Sequence, residues 1–387
     1  MTMNKFNCLL FAWALVSCTS EKNSEGTTTN AFDFSYTVDT VQVNAGDHFV
    51  YLQQSLVSSD ITPDGTYLLN FNPKTIEMEI VNLDELKLSE VVKLEQEGPN
   101  GIGTNPYFFN YKALSKDEIM LSAWGRLIKV ELAGNKVTNY SLKKEDLPED
   151  ALAPNEELKP GGIFSSDGTT FYSWYGFQEK PFDMEGLAKI NLETSKVQLI
   201  PIPELDKMDE FTIEVDMSGP SGMKGKFPES LELLELDDKI IMQSSGINEF
   251  WVLDKSTLEV SVKANHSNLT EDVKPVQYST KVTTQDEFRD ARNARDQEVS
   301  FGKLIHDEGR DMIWRISSDF NRMKDQTVVR NYYLTFYDMD LNQLGEFPLE
   351  NWELTGKSFI KDGDFYQFLN IDDEMAFVRL KPTFGDE

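Results

Sequence analysis

The stretch Glu97–Pro106, EGPNGIGTNP, has the glycine density of a phosphate-binding loop. Such a loop needs G-x-x-x-x-G-K-[ST] on a strand-to-helix turn, so that amides cradle the phosphates and the lysine neutralises them. Counting from Gly98, Thr104 stands in the lysine position and Asn105 in the hydroxyl position. Pro106 and the β-rich run Tyr107–Tyr111 follow, where a helix should begin. The spacing excludes a nucleotide site. A second stretch, Ser218–Gly225 (SGPSGMKG), repeats the pattern G-P-x-G-[IM]. Proline fixes one φ and glycine permits the unusual ones, so both read as shaped connectors.

Other groupings suggest binding. Arg289, Arg292 and Arg295 recur at three-residue spacing in Asp286–Gln297, beside an apolar stripe of Phe288, Ala291 and Ala294. On a helix that row could hold a carboxylate-bearing or sulfated ligand through paired hydrogen bonds; salt bridges to nearby acids are the plainer alternative. Trp124 with Arg126, and Trp174 with Tyr175, fall at expected strand turns, where aromatic planes could stack on sugars or peptide side chains or pack inside. Catalytic groupings are sparse. His48, His266 and His306 share no metal-ligand spacing, and no G-x-S-x-G motif occurs. Asp338, Asp340 and Asn342 mimic the start of a calcium loop, but Gln343 replaces its glycine and Leu349 its bidentate glutamate, which leaves a hairpin turn. Calcium held by carboxylates from scattered segments is the one cofactor left open, and an enzyme is the lesser expectation.

The elements that must position these residues are mainly strands. "PDGTYLLNFN", "SKDEIMLSAW", "SDGTTFYSWY", "LDDKIIMQSS", "DEGRDMIWRI" and "IKDGDFYQFL" each join an acidic or glycine turn to a strand of about six residues. Their strands begin near Tyr67, Ile119, Thr170, Ile240, Met312 and Phe365, at spacings of 52, 51, 70, 72 and 53. A period near 50 predicts an all-β chain forming a β-propeller of six four-stranded blades. The last blade counts only three strands, and Phe34–Val43 is expected to supply its fourth. A seventh blade from Phe211–Met217 and Val276–Val282 is the alternative count, and a large β-sandwich the alternative fold. In a propeller, the long insertions Glu95–Pro106, Lys143–Gly161, Glu204–Glu229 and Asn265–Ser300 gather on one face, with Phe177–Glu185 and Ser318–Val329. Loops on a rigid scaffold usually carry function, so that face is the expected binding face.

The N-terminus reads as a processing signal. Lys5 precedes the apolar run Cys8–Val16, which is too short to span a bilayer. Leu15-Val16-Ser17-Cys18 resembles the lipobox of bacterial lipoproteins. The resemblance implies cleavage before Cys18 and lipid on its thiol, with residues 1–17 as signal, 18–32 as tether and 33–387 as one folded domain. Thr19, in place of an inner-membrane-retaining Asp, favours the outer membrane. Lipid on Cys18 makes the membrane a partner. The mature chain then has no disulfide. The net charge of −29 repels phosphate backbones and excludes nucleic acid as an expected partner.

The lipobox, the blade "SDITPDGTYLLNFNPKTIEMEIVNLDEL", the connector "EGPNGIG" and "FGKLIHDEGRDMIWRIS" together resemble a family of uncharacterised gram-negative lipoproteins. That family is catalogued as a domain of unknown function and grouped with six-bladed propellers. The resemblance covers essentially the whole mature chain and implies a propeller and an envelope location. It carries over no activity and no site residue. The expected function is a binding or scaffold protein for a glycan, peptide or envelope protein; a calcium-assisted hydrolase or lyase is the alternative.

Overall fold

A computed structural model describes residues 32–177, 183–217, 222–324 and 327–385. Cys18, the signal segment and the tether up to Ala31 lie outside them, as do Ser218–Ser221 of the second glycine connector.

Strands are ordered by how far inside they run. Tyr67–Asn72 and Glu118–Ala123 are buried on both faces, so they read as nearly unbroken apolar runs. Lys87–Lys93, last in its sheet, is mostly exposed and carries the charges. This gradient repeats through six antiparallel sheets. Sheet 1 comprises Ser59–Ile61, Tyr67–Asn72, Glu77–Asn82 and Lys87–Lys93; sheet 2 Asn110–Ser115, Glu118–Ala123, Arg126–Glu131 and Lys136–Ser141. In sheet 3 both Glu156–Leu158 and Ile163–Phe164 pair with Thr170–Phe177, followed by Gly186–Asn191 and Val197–Pro201. Sheet 4 holds Leu231–Glu235, Lys239–Ser244, Glu249–Asp254 and Val260–Ala264, and sheet 5 Ser300–Asp307, Met312–Lys324, Thr327–Asp338 and Gln343–Leu349. Sheet 6 adds Phe34–Gln42 to Ser358–Lys361, Asp364–Ile371 and Glu374–Phe384.

The N-terminal strand pairs with the last strand, from Phe34 opposite Phe384 to Gln42 opposite Ala376. Arg379 donates to both Asp39 oxygens, at 2.9 and 2.8 Å, and Lys381 lies 2.7 Å from Asp39. These cations hold the Asp39 carboxyl well below the usual carboxylate range. Phe34 packs 4.8 Å from Phe336 and 4.9 Å from Phe347, joining sheet 6 to sheet 5.

Neighbouring sheets are tied to one another. Ala113 N donates to Asp60 Oδ2 (3.0 Å) between sheets 2 and 1, and Asn110 Nδ2 to the Gly162 carbonyl (2.7 Å) between sheets 2 and 3. Tyr172 and Trp174 share a core with Ile240, Met242 and Trp251, joining sheets 3 and 4. Gln243 Nε2 reaches the Gly302 carbonyl, Arg310 Nη1 the Gly363 carbonyl (2.9 Å), and Lys357 Nζ the Ser59 carbonyl (2.9 Å). The last of these returns from sheet 6 to sheet 1. The first strands of sheets 1, 2, 4, 5 and 6 line a space of about 1210 Å³.

Ile213–Asp216, Lys224–Phe227 and Lys281–Val282 form a separate three-stranded sheet, covered by the helix Gln285–Arg295. The segments weighed as a seventh blade do meet here, but in parallel rather than antiparallel register. The helix is set by a capping box, in which Thr284 accepts from the Glu287 amide and Glu287 from the Thr284 amide.

Candidate functional site

The chain crosses between sheets on the side that also carries each sheet's second turn. That side carries a cluster of surface aromatics. Trp124 and Gly125 form the two-residue turn between Ala123 and Arg126, with Gly125 supplying a φ of +69°. Trp124 is 73% exposed, and its ring lies 6.4 Å from that of Phe109. In Tyr107-Phe108-Phe109 the side chains alternate. Phe108 turns inward, edge-on to Phe71 at 5.5 Å, while Tyr107 and Phe109 face out. Phe49, at 88%, is the most exposed large hydrophobic among the described residues.

The loop bearing Phe49 is fastened from below. Buried Glu79 accepts the Tyr51 amide (3.0 Å), Asn70 Nδ2 (2.7 Å) and Asn72 Nδ2 (3.2 Å), and is hydrogen-bonded to His48 Nε2 (3.1 Å). Burial, and secondarily the nearby Tyr107 phenol, raise the pKa of Tyr51. Burial and, to a lesser extent, Tyr51 push Tyr111 up to about 12.

Trp124 also walls a cleft of about 320 Å³, lined by Lys143, Lys144, Glu145, Glu157 and Phe171 among others. Lys144 Nζ is engaged by the Glu156 carbonyl (2.9 Å), and Lys159 Nζ beneath it by Glu157 (3.0 Å). The arrangement offers an aromatic plane with carboxylate and ammonium groups around it. That is a surface for stacking and hydrogen bonding.

The other expected site residues have different roles. Arg126 donates through Nη2 to the Ile102 carbonyl (2.5 Å) and so supports the glycine connector. The connector's amides are used internally: Ile102 N bonds to Glu95 O (2.9 Å) and Gly103 N to Gln96 O (3.0 Å). Gly103, at φ +101°, leaves room for the Arg126 guanidinium, which a β-carbon would meet at 2.2 Å. Trp174 and Tyr175 are not at a turn, which corrects the sequence expectation. Their strand runs on to Phe177, Leu158 pairs opposite Tyr175, and both rings are 3% exposed in two different core clusters.

The arginine row is divided. Arg289 pairs with Asp286 (2.8 Å) and Asp290 (3.2 Å), and Arg292 lies 5.8 Å from the Phe288 ring. Arg295 turns inward to the Phe227 carbonyl (2.9 Å) and towards buried Glu229 (3.6 Å). Glu229 is further held by Lys274 (2.9 Å) and Ser245 (2.5 Å). The three do not form one open anion site. This is the salt-bridge alternative, realised for two of the three.

Along the central space Asp60 pairs with Lys357 (3.1 Å) and Asp307 with Arg310 (3.2 Å). Among the described residues no three His, Cys, Asp or Glu side chains are grouped to hold a metal ion. Asp338 accepts the Asp340 and Asn342 amides (2.9 and 2.7 Å), so that stretch is a self-satisfied hairpin turn. Among the described residues no helix is long and apolar enough to cross a membrane.

The sheets and their mutual ties define an all-β protein of propeller-like build. The chain belongs to the family described as a domain of unknown function, DUF4221, whose sequence model matches residues 31–348. A crystallised member of that family from Bacteroides vulgatus is similar over 92% of this chain and 100% of its own, with 15% identity and a TM-score of 0.65. An exported protein from Bacteroides fragilis matches 93% of this chain and 98% of its own, with 10% identity and a TM-score of 0.49. The β-propeller domain of Cps50 from Myceliophteria thermophila matches 84% of this chain and 82% of its own, with 9% identity and a TM-score of 0.41. No protein of curated function matches the chain.

Proposed function

We propose that this chain is a lipid-anchored envelope protein of six blades that binds a glycan on its connector side, at the cleft walled by Trp124. Six sheets, each touching the next and the sixth returning to the first through Lys357, support that blade count. The small parallel-paired sheet is then an insertion rather than a blade. The observation that carries the binding reading is a tryptophan left 73% exposed over a polar cleft, with Phe109 beside it. Burying such a ring against an apolar sugar face is favourable, while carboxylates and ammonium groups around it suit hydroxyls. A peptide groove would offer a longer apolar trench or an open sheet edge.

Anchoring rests on the lipobox ending at Cys18. The N-terminal strand enters at Phe34, beside Phe384, and reaches the connector side only at Gln42. Mass spectrometry of the mature N-terminus tests the anchor; an unmodified terminus beyond residue 18 contradicts it. Retention on immobilised envelope glycans tests the binding. Trp124→Ala should lose retention while unfolding like the wild type, and equal retention contradicts the site.

A further inference from the structure

Arg315 lies between sheets 4 and 5 and is 2% exposed. Three aromatic rings surround its guanidinium, Phe301 at 4.9 Å, Tyr337 at 5.2 Å and Phe250 at 5.3 Å. Nη2 donates to Asn248 Oδ1 at 2.7 Å, whereas Nε and Nη1 have no partner from the protein. Asp272 is reached only through the Asn248 amide (3.0 Å), and Glu346 acts at a distance. A guanidinium stays protonated at any pH a protein tolerates, so the charge persists. Buried charges are ordinarily paired, because burial without a counter-charge is costly.

The surroundings add donors. Thr335 stands directly across from Arg315 in the strand register, and Ser317 follows two residues later on the same sheet face. Both hydroxyls are buried and unpartnered. The Tyr337 hydroxyl, also buried, lies near Thr335 without a hydrogen bond of good geometry. On sheet 4, Gln243 Oε1 is also buried and unpartnered, while its Nε2 reaches the Gly302 carbonyl. Clusters of this kind are rare in native proteins and mark an ordered water or an ion. Water would satisfy hydrogen bonds but leave the charge unbalanced.

We propose that sheets 4 and 5 enclose one small monovalent anion of the halide class, bound by the Arg315 guanidinium and the Ser317 and Thr335 hydroxyls. The site also braces the connector that follows sheet 4. Asn248 N bonds to the Asp272 carbonyl (2.7 Å) and Asn265 N to the Asn248 carbonyl (2.9 Å), so the residue holding Arg315 holds that loop as well.

The test exchanges the protein into sodium gluconate and titrates sodium bromide at constant ionic strength, with thermal unfolding as the first readout. Bromide should raise Tm saturably, by about 3 °C. The pair Ser317→Ala and Thr335→Val keeps the charge but removes two donors, and should abolish most of that rise. Crystals grown in bromide should show anomalous scattering against Arg315. Equal Tm in both salts, or density at Arg315 without anomalous signal, overturns the proposal. Because the double variant retains the arginine and its cage, the outcome does not depend on whether Arg315→Met folds.

Discussion

Two regions of the connector side carried binding expectations, the Trp124 turn and the arginine helix, and they differ in what the fold leaves free. At the helix, Arg289 is paired with Asp286 and Asp290, and Arg295 is drawn down to Glu229. At the turn, Trp124 and Phe109 stay outside beside a cleft. In a chain with 66 acidic and 37 basic residues a cation meets a carboxylate almost wherever it projects. A surface aromatic has no such local partner. Exposed aromatic area is therefore the more informative signal in this protein, and exposed positive charge the weaker one.

The largest expected effect breaks the clamp beneath the helix. Glu229→Ala leaves Lys274 and Arg295 uncompensated in a buried site, and should lower stability by about 3 kcal/mol in urea unfolding. Phe288→Ala should cost a similar amount, about 3 kcal/mol, because its ring packs 4.7 Å from Phe227 under the helix. Within the arginine row the account separates neighbours. Arg295→Ala should cost about 2 kcal/mol, and Arg289→Ala, fully exposed, much less. Equal costs would erase the distinction between an inward and an outward arginine.

A smaller effect concerns the closing strand, where charges are again consumed locally. Asp39 has a depressed pKa in the folded protein, so its contribution is full above its unfolded pKa, near 4, and fades as pH falls through the folded value. Asn in its place should cost about 0.5 kcal/mol near neutral pH, given its exposure. The difference from wild type should shrink as pH drops from about 5 towards 2. A difference that grows on acidification would contradict the pairing with Arg379 and Lys381.

The hairpins were legible because their chemistry is local. Asp64-Gly65, Asp167-Gly168 and Asp362-Gly363 signal turns in the sequence, and the three glycines adopt φ of +71°, +68° and +78°. The N-terminal strand was legible from a count, since three strands in the last repeat called for a fourth. Trp174 and Tyr175 were misread because strand length depends on a distant partner. Glu156–Leu158 extends the pairing of Thr170–Phe177 past Tyr175 to Phe177, eight residues against six in sheets 1, 2 and 4. The outward pair Tyr107 and Phe109 was passed over inside a run that reads as buried strand. Its signal is alternation about Phe108, but nothing local says which parity faces out. Glu79 was invisible for a similar reason, because its partners His48 and Asn70 lie 31 and 9 residues away.

Among the described residues Trp124 is the one tryptophan at the surface; Trp174, Trp251, Trp314 and Trp352 are buried. Iodide quenching of intrinsic fluorescence therefore reports on Trp124 almost alone, and it tests the glycan site directly. Neutral envelope oligosaccharides added to the wild-type chain should reduce quenching and shift the emission to the blue, and Trp124→Phe should remove the quenchable component. Quenching unchanged at saturating oligosaccharide, or glycan binding that persists in Trp124→Ala, would contradict the account.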